Sequence, residues 1–395
     1  MVTDAPVVVL GAGAAGLVAA HQVAARGIGV IVVDHQARPG RKLAITGGGY
    51  CNVTNMRVKA RCFISSNPHF VKSALARFGP WDVMDMLADA GIGVEERDRG
   101  ELFCDQRATL LVDFLQGRAE AAGARLMLGC SVSGLRALPG GGFLLRSSRG
   151  ELQASRVIVA TGGLSYPGIG ASGLGMDIAR SLGIPVVAPR PGLAPLLWSA
   201  SDRERFADLS GNSLEVTTRC PDSPAFRADL LFTHRGLSGP AALQVSSYWR
   251  PGASVTVDLL PGIDVEGRLL EARRERPRAA LRTVLGAWLP KRLVLAFEGR
   301  EIPDLPMGRL SDLHAAAIAD SLHRWTFHPA GTAGYDKAEV TVGGVDTRAI
   351  SSKTLEARDV PGLHFAGEVL DVTGWLGGYN LQWAWSSGHC AGRAV

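Results

Sequence analysis

Three glycines and an aspartate near the start of the chain set the first chemical expectation. Gly11, Gly13 and Gly16 stand at G-x-G-x-x-G spacing within V-V-V-L-G-A-G-A-A-G-L. Gly11 permits a tight turn out of a strand. Gly13 has no Cβ, so a pyrophosphate can reach the backbone, and Gly16 lets a helix pack close to the strands. Ala14 and Ala15 open that helix, whose free N–H groups and positive dipole end attract phosphate. Asp34 closes the next strand, where its carboxylate accepts hydrogen bonds from an adenosine ribose and repels a 2′-phosphate. The chemistry indicated is dinucleotide binding. A glycine turn in some other α/β protein is the competing reading, and the strand before, the helix after and the acid beyond all argue against it.

Groups that move protons or electrons are sparser. His234 lies in the loop L-F-T-H-R-G-L-S-G-P rather than in an apolar run, which makes it the first choice for a general acid or base. A histidine that only orders its loop is the alternative. Tyr166 and Tyr379 can donate a proton, or merely stack. Cys51 follows a cluster of three glycines, yet the six cysteines include no C-x-x-C pair. The spacing therefore supplies no partner for disulfide reduction, and predicts neither a disulfide framework nor a metal site.

The elements that must position these groups read as follows. The run Val7–Leu10 has strand length and β-branched composition, Ala14 to Arg26 reads as a helix stopped by Gly27 and Gly29, and Val30–Val33 is a second strand. Beyond Asp34, Gly40, Arg41 and Lys42 form a loop, and Gly47, Gly48 and Gly49 a second glycine cluster. Three consecutive glycines carry a large entropic penalty, which a ligand approaching the backbone would explain. Residues 67–122 are expected to be mainly helical, with a hairpin over 91–104 and a helix over 109–122. A strand at 125–128 and a β-meander over 133–153 follow, with Val132 beside an adenine if the fold binds a flavin. The apolar strand Arg156–Ala160 runs into Thr161, Gly162 and Gly163. Gly168, Gly170 and Gly173 repeat the glycine spacing, but no strand precedes them directly and no acid follows at the required distance. Gly173 is expected to open a helix instead.

From Pro191 to His328 the α/β rhythm stops. Short alternating runs such as 213–218 and 254–259 predict a small β domain. Residues 265–325 turn helical, with Leu281, Val284, Leu285, Trp288 and Leu289 on one amphipathic face and a further helix over 310–325. The tail returns to the first pattern. A strand over 363–366 ends in Gly367 and Glu368, and a loop with Gly374, Gly377 and Gly378 leads into a helix starting near Tyr379 or Asn380. Glu368 can bond a ribityl hydroxyl, and the helix N-terminus would face the pyrimidine edge of a flavin.

Composition bounds the remaining choices. A chain of 395 residues with 46% hydrophobic content is long enough for two or three domains. The first strand begins too early to leave room for a signal peptide. No apolar run reaches transmembrane length, so no membrane partner is expected and a reduced, cytoplasmic setting is the simplest. The formal net charge is +5, and ten Lys or Arg against five Asp or Glu between Arg268 and Arg309 account for all of it. Such a stretch reads either as the solvated face of helices or as a contact for a polyanion.

Together these segments resemble the BaiN/RdsA-type NAD(P)/FAD-dependent oxidoreductases. The matching motifs are GAGAAG at 11–16, GRKLAITGGGYCNVTN at 40–55, ATGGLSYP at 160–167, LFTHRGLSGPA at 231–241, VTVGGV at 340–345 and FAGEVLDVTGWLGGYNLQWAWSSG at 365–388. Tyr50 departs from the family pattern, which has Arg there in many members, near the flavin ring. The resemblance implies an α/β fold: a Rossmann-like three-layer FAD-binding domain (1–190 plus 340–395), interrupted by a β-barrel-like domain (191–264 plus 326–339) that carries a small helical insert (265–325). It implies non-covalent FAD held by Ala15, Asp34, Arg41, Lys42, Gly47, Val132, Gly162, Glu368, Asn380 and Leu381. Gly48, Thr161, Gly367 and Gly378 complete the cofactor set. It also implies NAD(P)H-driven reduction of an unsaturated small molecule, with NAD(P)H as a transient reductant. The alternative is a flavoprotein that modifies or binds RNA through the basic helical insert. Pairing of Arg273, Arg274, Arg276, Arg278, Lys291 and Arg292 with Glu271 and Glu275 would count against that alternative.

Overall fold

The computed structural model describes residues 5–395. They form two compact units, one running through Pro191 together with Glu339–Val395, the other Gly192–Ala338.

The first unit is built on a five-stranded parallel sheet in the order Leu363–Phe365, Val157–Val159, Val7–Leu10, Val30–Val33, Arg125–Met127. Its inner strands are uninterrupted Val/Ile/Leu runs because a parallel sheet is covered on both faces, and all four residues of Val7–Leu10 are buried. The meander Val132–Ala137, Phe143–Ser147, Gly150–Ala154 contributes Leu135, Phe143, Leu145 and Ala154 to the same core.

Helices Ala14–Ala24 and Tyr379–Ala394 meet backbone to backbone. A Cβ added at Gly388 would lie 2.4 Å from the Ala15 carbonyl oxygen, and one at Gly392 2.5 Å from that of Ala19. Spacing of four residues on both helices puts these small residues on matching faces.

Within 67–122 the helices are Lys72–Arg77, Pro80–Asp89 and Ala108–Ala121. The expected hairpin is present as Val94–Glu96 and Glu101–Cys104, and it gains a third strand, Asn52–Asn55. That strand was not expected, since N-V-T-N lacks strand composition; cross-strand pairing supplies what propensity does not.

The second unit holds a seven-stranded antiparallel sheet. Its edge strands, Trp325–Phe327 and Gly331–Thr332, are consecutive in sequence. Laid flat, seven strands at ~4.8 Å spacing would separate those edges by roughly 29 Å. The connection between them reaches at most about 14 Å, so the sheet must curl toward a barrel. Trp198, Phe206, Phe232, Phe297, Trp325 and Phe327 pack against one another as an aromatic core of this unit.

Two helical expectations are corrected here. The face Leu281–Leu289 is not one helix: Leu281–Leu285 ends at Gly286, and a new helix, Lys291–Phe297, starts after Pro290. Proline at that boundary cannot continue the earlier helix, although Leu281, Val284, Leu285 and Leu289 are still buried. The last helix is Asp312–His323, capped by Ser311. Trp325 begins a strand instead, because Trp325 and Phe327 alternate with exposed Thr326.

Candidate functional site

The glycine turn has the geometry that its residue types require. Gly11 has φ +104°, and a Cβ on it would strike the Ala160 carbonyl oxygen at 2.4 Å. One on Gly16 would lie 1.9 Å from the Gly11 oxygen, so helix and turn touch only because both lack side chains. At Gly13 a Cβ would meet nothing within 4 Å, which leaves the backbone open to an approaching group. Gly13 also caps the helix Ala14–Ala24 without a side-chain hydrogen bond, and its first turn holds no acid. The N–H groups at Ala14, Ala15 and Gly16 therefore lack intrahelical partners.

Asp34 is oriented by this turn. Ala12 N donates to Oδ2 and Gln36 N donates to Oδ1, each at 2.7 Å. Each oxygen keeps capacity for a further donor such as a ribose hydroxyl. Asp34→Ala should weaken FAD binding by about 1.5–3 kcal/mol, the scale for losing a hydrogen bond to a charged group. Titration calorimetry on the two proteins measures this; an unchanged dissociation constant removes Asp34 from the site.

Gly40 N donates to Ala12 O at 2.9 Å, which ties the helix Arg41–Ile45 to the same turn. Arg41 reaches back to Gln36 Oε1 at 2.5 Å. Lys42 Nζ donates to Glu368 Oε2 at 2.7 Å, and Thr341 N donates to Glu368 Oε1 at 2.8 Å. Glu368 thus joins the N-terminal and C-terminal motifs, with lone pairs left for a further hydroxyl. Gly367 is packed beside Ala15, its carbonyl accepts from Trp383 Nε1 at 3.1 Å, and its N–H donates to Ser387 Oγ at 2.8 Å.

Gly47, Gly48 and Gly49 all have positive φ. A Cβ at Gly47 would crowd Asn52 N and the Phe103 ring, whereas one at Gly48 would meet nothing within 4 Å. Val132, half-buried, pairs with Ser147 at the start of the meander. Gly162 is open at its Cβ position. The neighbouring Thr161 Oγ1 is buried without a hydrogen-bond partner among the described residues.

The helix Tyr379–Ala394 is capped by Gly378 in a left-handed conformation, with no acid in its first turn and no side-chain cap. The Asn380 side chain is spent on its own loop: Gly374 N donates to it, and it donates to the Gly374 and Trp375 carbonyls. Backbone N–H groups of Asn380 and Leu381 are what this end offers a ligand.

The acid–base candidates separate. His234 is exposed at a hairpin turn of the second unit, and its ring has no polar partner among the described residues. Tyr166 lies in the first unit, with φ +60°; burial raises its pKa, and the charge of Glu339 adds to the rise. Sequence reasoning missed Glu339 and Thr341. Thr341 Oγ1 accepts from Leu164 N at 2.8 Å, and the motif quoted at 340–345 was the signal that pointed to this strand. The reading that Cys51 has no partner is also corrected. Folding pairs Asn52 with Phe103 across the small sheet, which sets Cys104 beside Cys51: Cys104 N donates to the Cys51 carbonyl at 3.1 Å, and the Cys104 thiol helps to push the Cys51 pKa up. Antiparallel register, not sequence spacing, joins them.

FAD fits these residues. Gly13, Gly48 and Gly162 leave open backbone, Thr161 has an orphaned hydroxyl, and two helices present uncapped N-termini. Among the described residues, no helix is long and apolar enough to cross a membrane.

Comparison with known proteins shows the family. The family model described as the HI0933-like protein Rossmann domain matches residues 5–394. A ribosomal RNA dihydrouridine synthase from Haemophilus influenzae is 46% identical, over 98% of each chain. A 3-dehydro-bile acid delta(4,6)-reductase from Clostridium scindens is 30% identical, over 98% of each chain. In fold, the chain is similar to a 3-ketosteroid-delta4-(5alpha)-dehydrogenase from Rhodococcus jostii, with TM-score 0.50, 17% identity, and coverage of 99% of this chain and 96% of that one. The chain belongs to the HI0933-like Rossmann-domain family and is an FAD-dependent oxidoreductase.

Proposed function

We propose that this protein reduces the C5–C6 double bond of a uridine in ribosomal RNA, with NAD(P)H as the source of electrons. The observation that carries this reading is the 46% identity to a ribosomal RNA dihydrouridine synthase over nearly the whole of both chains. Bound FAD, once reduced, supplies a hydride to the double bond. The chain's own task is to hold the dinucleotide, to seat the base and to provide a proton.

Surface chemistry supports an RNA substrate. Next to the open Gly47–Gly49 loop, Arg107 lies over the Tyr50 ring at 5.1 Å, and Ile45, Tyr50 and Leu110 are 47%, 39% and 46% exposed. An exposed aromatic ring beside a guanidinium is a stacking platform for an unpaired base. In the second unit, Arg273 pairs with Asp312 and Arg282 with Glu298. Pairing with Glu271 or Glu275 does not occur among the described residues; Arg276, Arg278, Lys291 and Arg292 are exposed and carry no ion pair there. Unneutralised cations of this kind suit a phosphate backbone.

The direct test is mass spectrometry of ribosomal RNA. RNA from cells lacking the gene should contain less dihydrouridine, and the purified protein with FAD and NAD(P)H should restore it. No dihydrouridine from that incubation would defeat the reading. Tyr50→Ala should weaken RNA binding by about 1–3 kcal/mol, the scale of one base–aromatic stack; equal RNA affinity would remove the platform. Reduction of a small-molecule enone is the second reading, favoured by the 30% identity to a bile acid reductase. Both reactions saturate a carbon–carbon double bond conjugated to a carbonyl.

A further inference from the structure

The first unit holds a further cleft, and none of the residues assigned to the dinucleotide lines it. The helices Ala14–Ala24, Pro80–Asp89, Ala108–Ala121 and Tyr379–Ala394 all contribute to a cavity of about 300 Å³. That is the small end of the range for ligand sites, about 300–1,000 Å³, and suits a small molecule rather than a second dinucleotide. Close-packed interiors leave few gaps of this size. Its apolar lining is Leu17, Val18, Met86 and Leu115, all buried, with Phe78 beside them. The Phe78 ring stacks on the His389 imidazole, with centroids 4.7 Å apart and planes at 26°.

The charged lining is segregated by sign. Asp82, Asp85 and Asp89 come from one helix at i, i+3 and i+7, which places them on one face. Arg118 and Arg393 come from two other helices. Asp82 spends one oxygen on the Gly79 N–H at 2.6 Å, at the start of its own helix. The side chains of Asp85, Asp89, Arg118 and Arg393 make no hydrogen bond or ion pair among the described residues. His21 Nδ1 is engaged with the Arg118 carbonyl at 3.3 Å. Burial holds His21 below its ordinary pKa, helped by Arg118, and pushes His389 down to about 4, helped by Arg393. Three carboxylates and two guanidiniums are therefore the charges of the cleft at neutral pH. Among the described residues, no three of the acids and imidazoles are grouped to hold a metal ion. Opposite charges that line one cleft without pairing are left for something placed between them.

We propose that this cleft binds a small zwitterion of the apolar α-amino acid type, with its ammonium group on Asp85 and Asp89, its carboxylate on Arg118 and Arg393, and its aromatic or branched body against Leu17, Met86 and Phe78. The assignment does not depend on which double bond the protein reduces. Each part follows from the lining. Guanidinium groups present paired N–H donors that match a carboxylate. An ammonium group supplies three donors, which two carboxylates can accept. The apolar body leaves water for the buried side chains of the floor. A ligand with one charge would leave half of the charged lining unmatched, and an uncharged one would strip water from the acids and the guanidiniums without return. A ligand here touches all four helices, so binding it also stabilises the folded first unit.

The test uses the FAD-loaded protein, with L-phenylalanine and L-leucine as probes, in titration calorimetry and heat denaturation. At least one of them should bind and raise Tm. Phenethylamine, which lacks the carboxylate, and hydrocinnamate, which lacks the ammonium group, should bind about tenfold more weakly than L-phenylalanine, the scale for losing hydrogen bonds to a charged group. Arg118→Gln should weaken L-phenylalanine by about the same factor and remove its advantage over phenethylamine. Asp85→Asn combined with Asp89→Asn should remove its advantage over hydrocinnamate. Those pairwise losses separate recognition from a general loosening of the helices, which would weaken every probe alike. Flavin absorbance reports that the dinucleotide site is intact in each variant; if Arg118→Gln loses flavin, Arg393→Gln takes its place. No heat and no shift in Tm with either amino acid overturns the proposal. Equal binding of the single-charge analogues, or affinities that the variants leave unchanged, overturns it as well.

Discussion

A fragment ending at residue 190 should contain no flavin and show no cooperative unfolding transition. Its parallel sheet would lack the edge strand Leu363–Phe365, which pairs with Val157–Val159. It would also lack the helix Tyr379–Ala394 that covers Ala14–Ala24. Leu363, Phe365, Val369, Trp383 and Trp385 are all buried. At about 1.5–3 kcal/mol for each large apolar side chain, their loss removes roughly 7–15 kcal/mol of gross burial. That rivals the entire net stability of a typical domain, about 5–15 kcal/mol. Circular dichroism, heat denaturation and flavin absorbance on the fragment are sufficient to check this. A soluble, FAD-loaded fragment would mean that the first unit does not need its C-terminal part.

The second large effect should come from Gly388→Val. The added atoms have nowhere to go, because the first of them already falls 2.4 Å from the Ala15 carbonyl oxygen, and backbone cannot rotate aside as a side chain can. Overpacking of this kind costs about 1–3 kcal/mol, or about 2–12 °C in Tm for a domain of this size. Ala15 lies in the first turn of the helix proposed to face the FAD phosphates, so FAD affinity should fall as well. Gly117→Ala is the control: it lies inside the helix Ala108–Ala121 with open space around it, and should be neutral or slightly stabilising. Equal melting temperatures for Gly388→Val and the unaltered protein would show that the two helices slide apart freely.

What was legible in the sequence was whatever local geometry dictates. Gly11, Gly13 and Gly16 each have a conformational or contact reason readable from type and spacing, and the valine-rich strands announce a covered parallel sheet. The helix after Gly378 was legible for the same reason. What remained hidden depends on pairing across distance. Asn52–Asn55 becomes a strand only because Glu101–Cys104 lies beside it, and that register alone brings Cys51 to Cys104. Leu281–Leu289 carries a helical period that Gly286 and Pro290 interrupt. Glu339 belongs to no periodic pattern, and its acidity is set by burial and by the charge of Lys42, which is far from it in sequence.

The placement of Leu363–Phe365 at the sheet edge also has a consequence in time. Val157–Val159 leaves the ribosome roughly 200 residues before the strand that will pair with it. At about 5–20 residues per second, that edge waits some 10–40 s. The intervening unit, Gly192–Ala338, is one continuous stretch of chain and can close within that interval. An unpaired, valine-rich edge is a template for intermolecular pairing. Expression at high rates, with many nascent chains stalled at this stage, is where aggregation of this protein should begin.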